Sequence, residues 1–298
     1  MMRQAIRDYL RYLEQEVNAA RRTRESYAAD LEAYALYCEQ RLGELVAPSG
    51  ADTDLIRGWL SAQMDSGLKA SSVARRLSAV KSFYRYLLKR GDIDRHPAQH
   101  LRPPRAERPL PVYVPTAEIE RLLEEQEEES LPELLARTLI ATLYECGLRR
   151  SELAGLKDAD VDLRGQTLKV LGKGGKERII PFGNNLAELL IQWREKRNET
   201  FGNTDTFFVS LRGKAMTGEA VYRIVHRALE SVPNLSRRGA HALRHSFATD
   251  MLNSGADLLA IKELMGHSSV TTTVQYTHTT FKQLQQMYNA HPRAKKEK

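Results

Sequence analysis

The sequence predicts a mainly α-helical protein of two domains, with a small antiparallel β-sheet in the second domain. Apolar residues recur at helical spacing through residues 2–90, and prolines and arginines break that pattern between residues 96 and 115. Short strand-like segments separated by glycine-containing turns follow in the C-terminal half. A chain of 298 residues is long enough to bury two cores. We therefore predict a helical domain over 1–102, a linker over 103–114 and an α+β domain over 115–298.

The N-terminal domain is predicted to contain four helices. Apolar residues at helical spacing mark the first, from Ile6 to Val17, and the second begins at Thr23 as N-cap and ends at Leu42 before Gly43. The third covers about 54–64 and the fourth runs from about residue 71 to Arg90 before Gly91.

The fourth helix has an unusual charge pattern. From Lys69 to Arg90 there are seven basic residues and no acidic one. An ordinary solvated face is the alternative reading, but such faces usually mix both signs. The pattern favours a helix that follows phosphates, with Arg75, Arg76 and Lys81 as the preferred contacts.

The C-terminal domain is predicted to begin with an acidic helix over about 118–129, followed by an apolar helix over 132–146. Strands are predicted at 161–163, 167–171 and 178–182, with a glycine-rich turn at 172–175. Helices are then predicted over 186–196, 218–230, 242–253, 258–265, 269–276 and 281–288.

Charge and cysteine usage narrow the function classes. The formal net charge of +7 and the sequence pI of about 9.3 favour a polyanionic partner. Cys38 and Cys146 fit neither a disulfide framework nor a metal cluster, so we interpret them as buried thiols in a reducing compartment. No apolar stretch is long enough for a secretory signal or a membrane span, which predicts a cytoplasmic protein with no membrane partner.

Four clusters in the C-terminal half contain candidate chemistry. They are Arg149 with Arg150 after a helix stop, Lys173 in a turn, His241 with Arg244 on one helix face, and His267 followed by Tyr276. Each has an ordinary explanation when taken alone, such as a surface arginine or a lysine retained for solubility. Metal binding is the usual rival for the histidines, but Arg244 would repel a cation.

Together, the four clusters favour phosphoryl transfer. Arginine, lysine and histidine donate to phosphoryl oxygens, and a tyrosine can accept the phosphoryl group once its proton is removed. No Asp/Glu pair suited to Mg²⁺ accompanies them, so we expect neither a metal nor another cofactor.

The same segments resemble the tyrosine recombinases (the phage integrase family), and most closely their Xer type. The matching segments are GLRRSEL (147–153), LGKGGKERIIPF (171–182), HALRHSFAT (241–249) and LMGHSSVTTTVQYTH (264–278). SSVARRLSAVKSFYRYL (71–87) matches as well, so the resemblance covers nearly the whole chain. It implies a SAM-like helical domain that binds DNA and a catalytic domain that cuts and rejoins DNA through a 3′-phosphotyrosyl intermediate.

The resemblance also implies roles for individual residues. The catalytic set is Arg149, Lys173, His241, Arg244, His267 and Tyr276, with Tyr276 as nucleophile. Lys176 and Arg178 are implied DNA contacts beside the turn. From the residues alone, Arg223 and Arg227 are weaker candidates for contacts in a DNA groove, because basic residues four apart are often only solvated.

The family's biology implies the partners. These are a double-stranded recombination site, a tetramer on two paired sites with itself or a paralogous recombinase, and a DNA translocase of the division apparatus. The expected task is the resolution of chromosome dimers during chromosome partition and cell division. A phage or transposon integrase is the alternative, although this chain has no room for an extra N-terminal arm-binding domain. A relaxing type IB topoisomerase and a non-catalytic DNA-binding module are further alternatives.

Overall fold

In the computed structural model, the chain divides into two compact units, Met1–Pro109 and Leu110–Lys298. The division lies inside the predicted linker. The structure describes residues 1–43, 46–105, 112–125, 129–172, 175–266, 291 and 293. Among these residues, no helix is both long and apolar enough to cross a membrane.

The described residues of the N-terminal unit form four α-helices that pack around a shared core. They are α1 (Met2–Gln15), α2 (Arg21–Leu42), α3 (Thr53–Asp65) and α4 (Ala70–Arg90). Buried aromatic rings fill the space between them, including Tyr9, Trp59 and Phe83. Gly91 ends α4 in the left-handed region, with a φ of 77°, where glycine has no Cβ penalty.

The C-terminal unit contains seven described helices. They are α5 (Thr116–Leu123), α6 (Leu131–Glu145), α7 (Arg150–Ala154), α8 (Asn184–Phe201), α9 (Gly218–Ala228), α10 (Ala240–Asn253) and α11 (Leu258–Met265). The central helix, α6, is buried on nearly all sides and packs against α8, α9 and α10. Its last turn leads directly into the candidate site.

One antiparallel sheet accompanies these helices, in the order β1 (Val161–Asp162), β2 (Thr167–Leu171) and β3 (Glu177–Pro181). Leu168 pairs with Ile180 and both are buried, whereas Leu171 is exposed. The alternation of buried and exposed residues along β2 is that of a sheet covered on one face. The predicted fold class, mainly helical with a small antiparallel sheet, is confirmed.

Several predicted boundaries were wrong. Helix α2 begins two residues before Thr23, and its N-cap Ala20 makes no side-chain hydrogen bond. The acidic helix ends at Leu123 rather than near 129, because Glu124 leaves the helical backbone, with a ψ of 131°. Glu129 pairs with Arg137 of α6. Helix α8 extends five residues beyond 196 and ends before Gly202, whose φ is 75°. The helices predicted over 269–276 and 281–288 lie outside the described residues.

Candidate functional site

Arg149 precedes the short helix α7 and is held at both ends. Its backbone N–H donates to Glu152 Oε2 over 2.8 Å. This is the contact of a capping box, in which the side chain of the third helical residue accepts from the backbone N–H of the N-cap residue. Its side chain donates through Nη1 to Glu152 Oε1 and through Nη2 to the Gly266 carbonyl, both over 2.7 Å. The side chain is 30% exposed, so the guanidinium is fixed and still reachable from solvent.

Arg244 lies on α10 and is buried. Its Nη1 donates to the carbonyl of Gly147 and its Nη2 to the carbonyl of Met265, the latter over 2.5 Å. Burial, followed by the positive charge of Arg149, lowers its pKa to about 10. Arg244 therefore remains protonated at neutral pH. The two arginines are anchored on consecutive carbonyls at the end of α11.

Glu152 is the carboxylate between these cations, and its side chain is only 3% exposed. Burial alone would raise its pKa, but the hydrogen bonds from Arg178 and Arg149 outweigh burial and hold the pKa below the ordinary value. Arg244 Nη1 lies 4.0 Å from Glu152 Oε2. One ionised carboxylate thus faces three guanidinium groups, and this cluster keeps an excess of positive charge.

Two of the three carbonyls that hold these arginines belong to glycines, Gly147 and Gly266. Gly147 has a φ of 57°, and a Cβ there would lie 2.5 Å from the Phe247 ring. Gly266 has a φ of 63° and caps α11 in the left-handed region. Because other residues rarely adopt these backbone angles, glycine at both positions is required by the local structure.

His241 is in the first turn of α10 and is exposed to solvent. Partial desolvation and the positive charges of Arg244, Arg150 and Arg149 lower its pKa. Arg150 lies over the ring of Tyr222 on α9, with its guanidinium carbon 5.6 Å from the ring centroid. Because the pKa of His241 is lowered, the histidine is neutral at neutral pH and can accept a proton.

The predicted DNA contacts of this unit fall into two groups. Lys176, Arg223 and Arg227 are exposed, with the two arginines on the outer face of α9. Arg178 differs, because its side chain is 13% exposed and donates to both carboxylate oxygens of Glu152 and to the Leu264 carbonyl. A guanidinium used in this way inside the protein is poorly placed to contact DNA.

In the N-terminal unit, the predicted contacts lie on α4. Arg75 forms an ion pair with Asp30, and Arg76 Nε lies 3.6 Å from the same carboxylate. Asp30 is 2% exposed, and burial raises its pKa despite the two arginines. Lys81 donates to the Gln99 carbonyl over 3.2 Å. Asp30 was not recognised from the sequence, where it is one acidic residue among several on α2.

Three predicted catalytic residues, Lys173, His267 and Tyr276, lie outside the described residues. The described part of the chain brings Arg149, which precedes α7, together with His241 and Arg244 of α10, so the three come from two distant segments. Sequence reasoning missed the role of Glu152 and the anchoring carbonyls of Gly147, Met265 and Gly266. The spacing of Glu152, three residues after Arg149, was an available signal, since it is that of a capping box.

Two forked cations beside a neutral histidine suit an anionic tetrahedral group. Guanidinium groups recognise phosphate oxygens through paired hydrogen bonds, and fixed donors stabilise charge that develops during reaction. Because protein carbonyls and Glu152 already orient both forks, little reorganisation is needed when an anion binds. The arrangement can bind a phosphoryl group and stabilise added negative charge on it.

Two family profiles match this sequence. That of the phage integrase family matches residues 113–283, and that of the phage integrase N-terminal SAM-like domain matches residues 6–91. The tyrosine recombinase XerC of Chlorobaculum tepidum is 39% identical over 96% of this chain and 94% of its own length. The tyrosine recombinase XerD of Pseudomonas aeruginosa is also 39% identical, over 93% of each chain.

Solved structures agree with these matches. The XerH site-specific recombinase bound to its palindromic difH substrate in a post-cleavage complex is 25% identical. It aligns with a TM-score of 0.70 over 91% of this chain and 80% of that one. The Tn1549 transposon integrase bound to transposon right-end DNA has the same TM-score at 20% identity, over 95% of this chain and 97% of its own. At that identity the likeness shows the fold alone.

Proposed function

Because this chain belongs to the phage integrase family and is a Xer-type tyrosine recombinase, we propose that it cuts DNA through Tyr276 and rejoins it by reversing the same step. The observation that carries this proposal is the pair Arg149 and Arg244, held on consecutive carbonyls at the end of α11. The sequence places Tyr276 ten residues after Gly266, whose carbonyl anchors Arg149.

In the proposed reaction, the phenolic oxygen of Tyr276 forms a bond to phosphorus, and the bond from phosphorus to the 5′ oxygen breaks. The phenolic proton passes to neutral His241, and Lys173 protonates the departing 5′ oxygen. The phosphodiester carries one negative charge, and attack by a deprotonated phenol adds a second. Arg149 and Arg244 stabilise both charges, while His267 positions the phosphate.

The covalent intermediate keeps the energy of the phosphodiester, since one ester replaces another. The 5′ hydroxyl of a second strand attacks the 3′-phosphotyrosyl group and releases Tyr276, so rejoining needs neither ATP nor a metal. Attack by the original strand restores the substrate, whereas attack by the partner duplex gives a recombinant. Paired sites are therefore needed for a recombinase but not for a relaxing topoisomerase.

DNA binding is proposed to use both units. On α4, the candidate DNA contacts are Arg75, Arg76 and Lys81. Arg75 is exposed and the other two are half-buried, and the helix that carries them has no acidic residue, which supports their assignment. In the catalytic unit, the exposed Lys176, Arg223 and Arg227 are candidate contacts. Contacts to phosphates make the affinity for DNA fall as the salt concentration rises. The slope of log affinity against log salt concentration is roughly proportional to the number of such contacts.

The biological task that we propose is the resolution of chromosome dimers before cell division, which places the protein in the cytoplasm with the chromosome. Relatives named XerC and XerD match at the same 39% identity, so identity does not separate the two roles. We propose four protomers on two paired sites, with this chain alone or with a paralogue, under the control of a DNA translocase. Mapping cleavage on genomic DNA with and without a candidate paralogue tests this assembly.

The chemistry is tested with a suicide substrate nicked near the cleavage point, from which the short fragment diffuses away and traps the adduct. The wild-type protein is expected to form a covalent protein–DNA adduct, and Tyr276→Phe to form none. Arg149→Ala and Arg244→Ala are expected to slow adduct formation by roughly 10²–10³-fold, as loss of an oxyanion donor does. An adduct with Tyr276→Phe would contradict the assignment, and absence of any adduct would favour a non-catalytic DNA-binding protein.

A further inference from the structure

Arg178 on β3 occupies the centre of the polar cluster beneath the candidate site. Its Nη1 and Nη2 donate to Glu152 Oε1 and Oε2 over 3.0 and 2.8 Å. Its Nε donates to the carbonyl of Leu264 over 2.7 Å. All three nitrogens of the fork are therefore used inside the protein, in a paired geometry that lysine cannot reproduce.

Both acceptors that hold Arg149 depend on this side chain. Glu152 receives Arg149 on the same carboxylate that Arg178 grips. The other acceptor, Gly266, follows Leu264 by two residues, and a Cβ on Gly266 would lie only 3.1 Å from Arg178 Nη1. The end of α11 thus lies directly against the Arg178 guanidinium.

The second arginine of the site is reached through the same segment. Arg244 donates to the carbonyl of Met265, which stands between Leu264 and Gly266. Three consecutive carbonyls at the end of α11 therefore each accept from a different arginine. The carbonyls of Leu264, Met265 and the C-cap Gly266 accept from Arg178, Arg244 and Arg149 in that order. If the first contact is lost, the backbone that orients the other two is free to shift.

We propose that Arg178 is a positioning residue for the DNA cleavage step, acting through Glu152 and the end of α11 to aim Arg149 and Arg244 at the scissile phosphate. This inference rests on the proposed function. It assigns to Arg178 a role different from the DNA contact that the sequence suggested. A misplacement of about 1 Å at such donors is enough to cost on the order of 10²-fold in rate.

Three possible roles of Arg178 predict different defects when the residue is replaced. A DNA contact would change affinity and leave the cleavage rate at saturating DNA intact. A residue that acts on the adjoining turn, where the sequence places Lys173, would affect protonation of the leaving 5′ oxygen. A residue that positions the two arginines affects stabilisation of charge on the non-bridging oxygens.

The test uses Arg178→Met and Arg178→Lys in the full-length protein, with single-turnover cleavage of three suicide substrates at saturating DNA. The first has the natural phosphodiester. The second has a scissile methylphosphonate, in which a methyl group replaces a charged non-bridging oxygen. The third has sulfur in place of the bridging 5′ oxygen, which leaves as a thiolate without needing a proton. Lys169→Met is the matched control, because Lys169 is an exposed cation on β2 that pairs with Glu177.

Both Arg178 variants are expected to bind DNA within about twofold of wild type and to cleave the natural substrate on the order of 10²-fold more slowly. On the methylphosphonate, the gap from wild type is expected to shrink to less than about tenfold, because less charge needs the arginines. On the sulfur substrate, the gap is expected to persist. The Lys169→Met protein should match wild type throughout.

Rescue by the sulfur substrate would overturn the proposal in favour of the leaving-group route. A defect confined to affinity would overturn it in favour of a DNA contact, and an equal gap on all three substrates would also overturn it. Arg178→Lys keeps the charge, so it serves as the folded comparison if Arg178→Met fails to melt cooperatively. Absence of adduct with wild type would instead contradict the proposed function itself.

Discussion

Replacing Glu152 with glutamine keeps the shape of the side chain but removes the one negative charge among three guanidinium groups. The carboxylate accepts four hydrogen bonds, two from Arg149 and two from Arg178, and is 3% exposed. A glutamine carbonyl can accept only part of this set, and its amide N–H groups would face other donors. Breaking a buried ion pair in this way costs about 3–5 kcal/mol.

For a domain of this size, that loss corresponds to a fall in melting temperature of roughly 6–20 °C, at 2–4 °C for each kcal/mol. The assay is thermal and chemical unfolding of wild type and Glu152→Gln, with Glu177→Gln as the control. Glu177 is the first residue of β3 and is exposed, so its replacement should change stability by no more than about 0.5 kcal/mol. A melting temperature of Glu152→Gln within about 2 °C of wild type would refute the reasoning.

The same variant has a defined pH dependence. The folded-state pKa of Glu152 is lowered, so the carboxylate contributes stability above its unfolded pKa of about 4.3. That contribution is lost as pH falls through the folded-state pKa. The difference in unfolding free energy between wild type and Glu152→Gln should therefore shrink in acid, and a constant difference from pH 7 to pH 3 would contradict this assignment.

Three further predictions concern the surroundings of the site. Gly147→Ala places a methyl group 2.5 Å from the Phe247 ring, at a position with a positive φ. We therefore expect chemical denaturation to show a loss of about 1–3 kcal/mol in the free energy of unfolding, and wild-type stability would contradict this. Arg150→Ala removes a positive charge that lowers the pKa of His241. The acid limb of the cleavage rate should therefore move to higher pH, and a limb that stays in place would count against His241 as the proton acceptor. Asp30→Asn releases the two α4 arginines that this buried carboxylate pairs with, which should steepen the logarithmic dependence of DNA affinity on salt by about one unit for each arginine that gains a phosphate contact. An unaltered slope would show that these arginines do not reach phosphate.

The elements that were predicted well are those with local signals. Strand β2 has the predicted bounds because its alternating residues are followed at once by the glycine-rich sequence of residues 172–175. Helix α11 also has the predicted bounds, with Asp257 as its N-cap and Gly266 as its C-cap. Both signals are contained in a few consecutive residues, so the rest of the fold is not needed to read them.

The interior of the site could not be read in this way. Arg149 and its acceptor Gly266 are 117 residues apart, and Arg244 and Gly147 are 97 apart. Backbone carbonyls have no side-chain signature, so no residue type marks them as anchors. Arg178 was predicted to contact DNA from the family resemblance, and only the packing of β3 against α11 reveals that its side chain contacts Glu152 and the Leu264 carbonyl.

The most direct measurement on the central claim is the identity of the residue and the DNA end that become joined. Adduct formed on a suicide substrate would be digested with trypsin and analysed by mass spectrometry. Cleavage after Lys262 and Lys282 gives a peptide in which Tyr276 is the sole tyrosine. We predict that this peptide carries the nucleotide through a 3′-phosphate on Tyr276, with a free 5′ hydroxyl on the released strand. Attachment to another residue, or through a 5′-phosphate, would contradict the account.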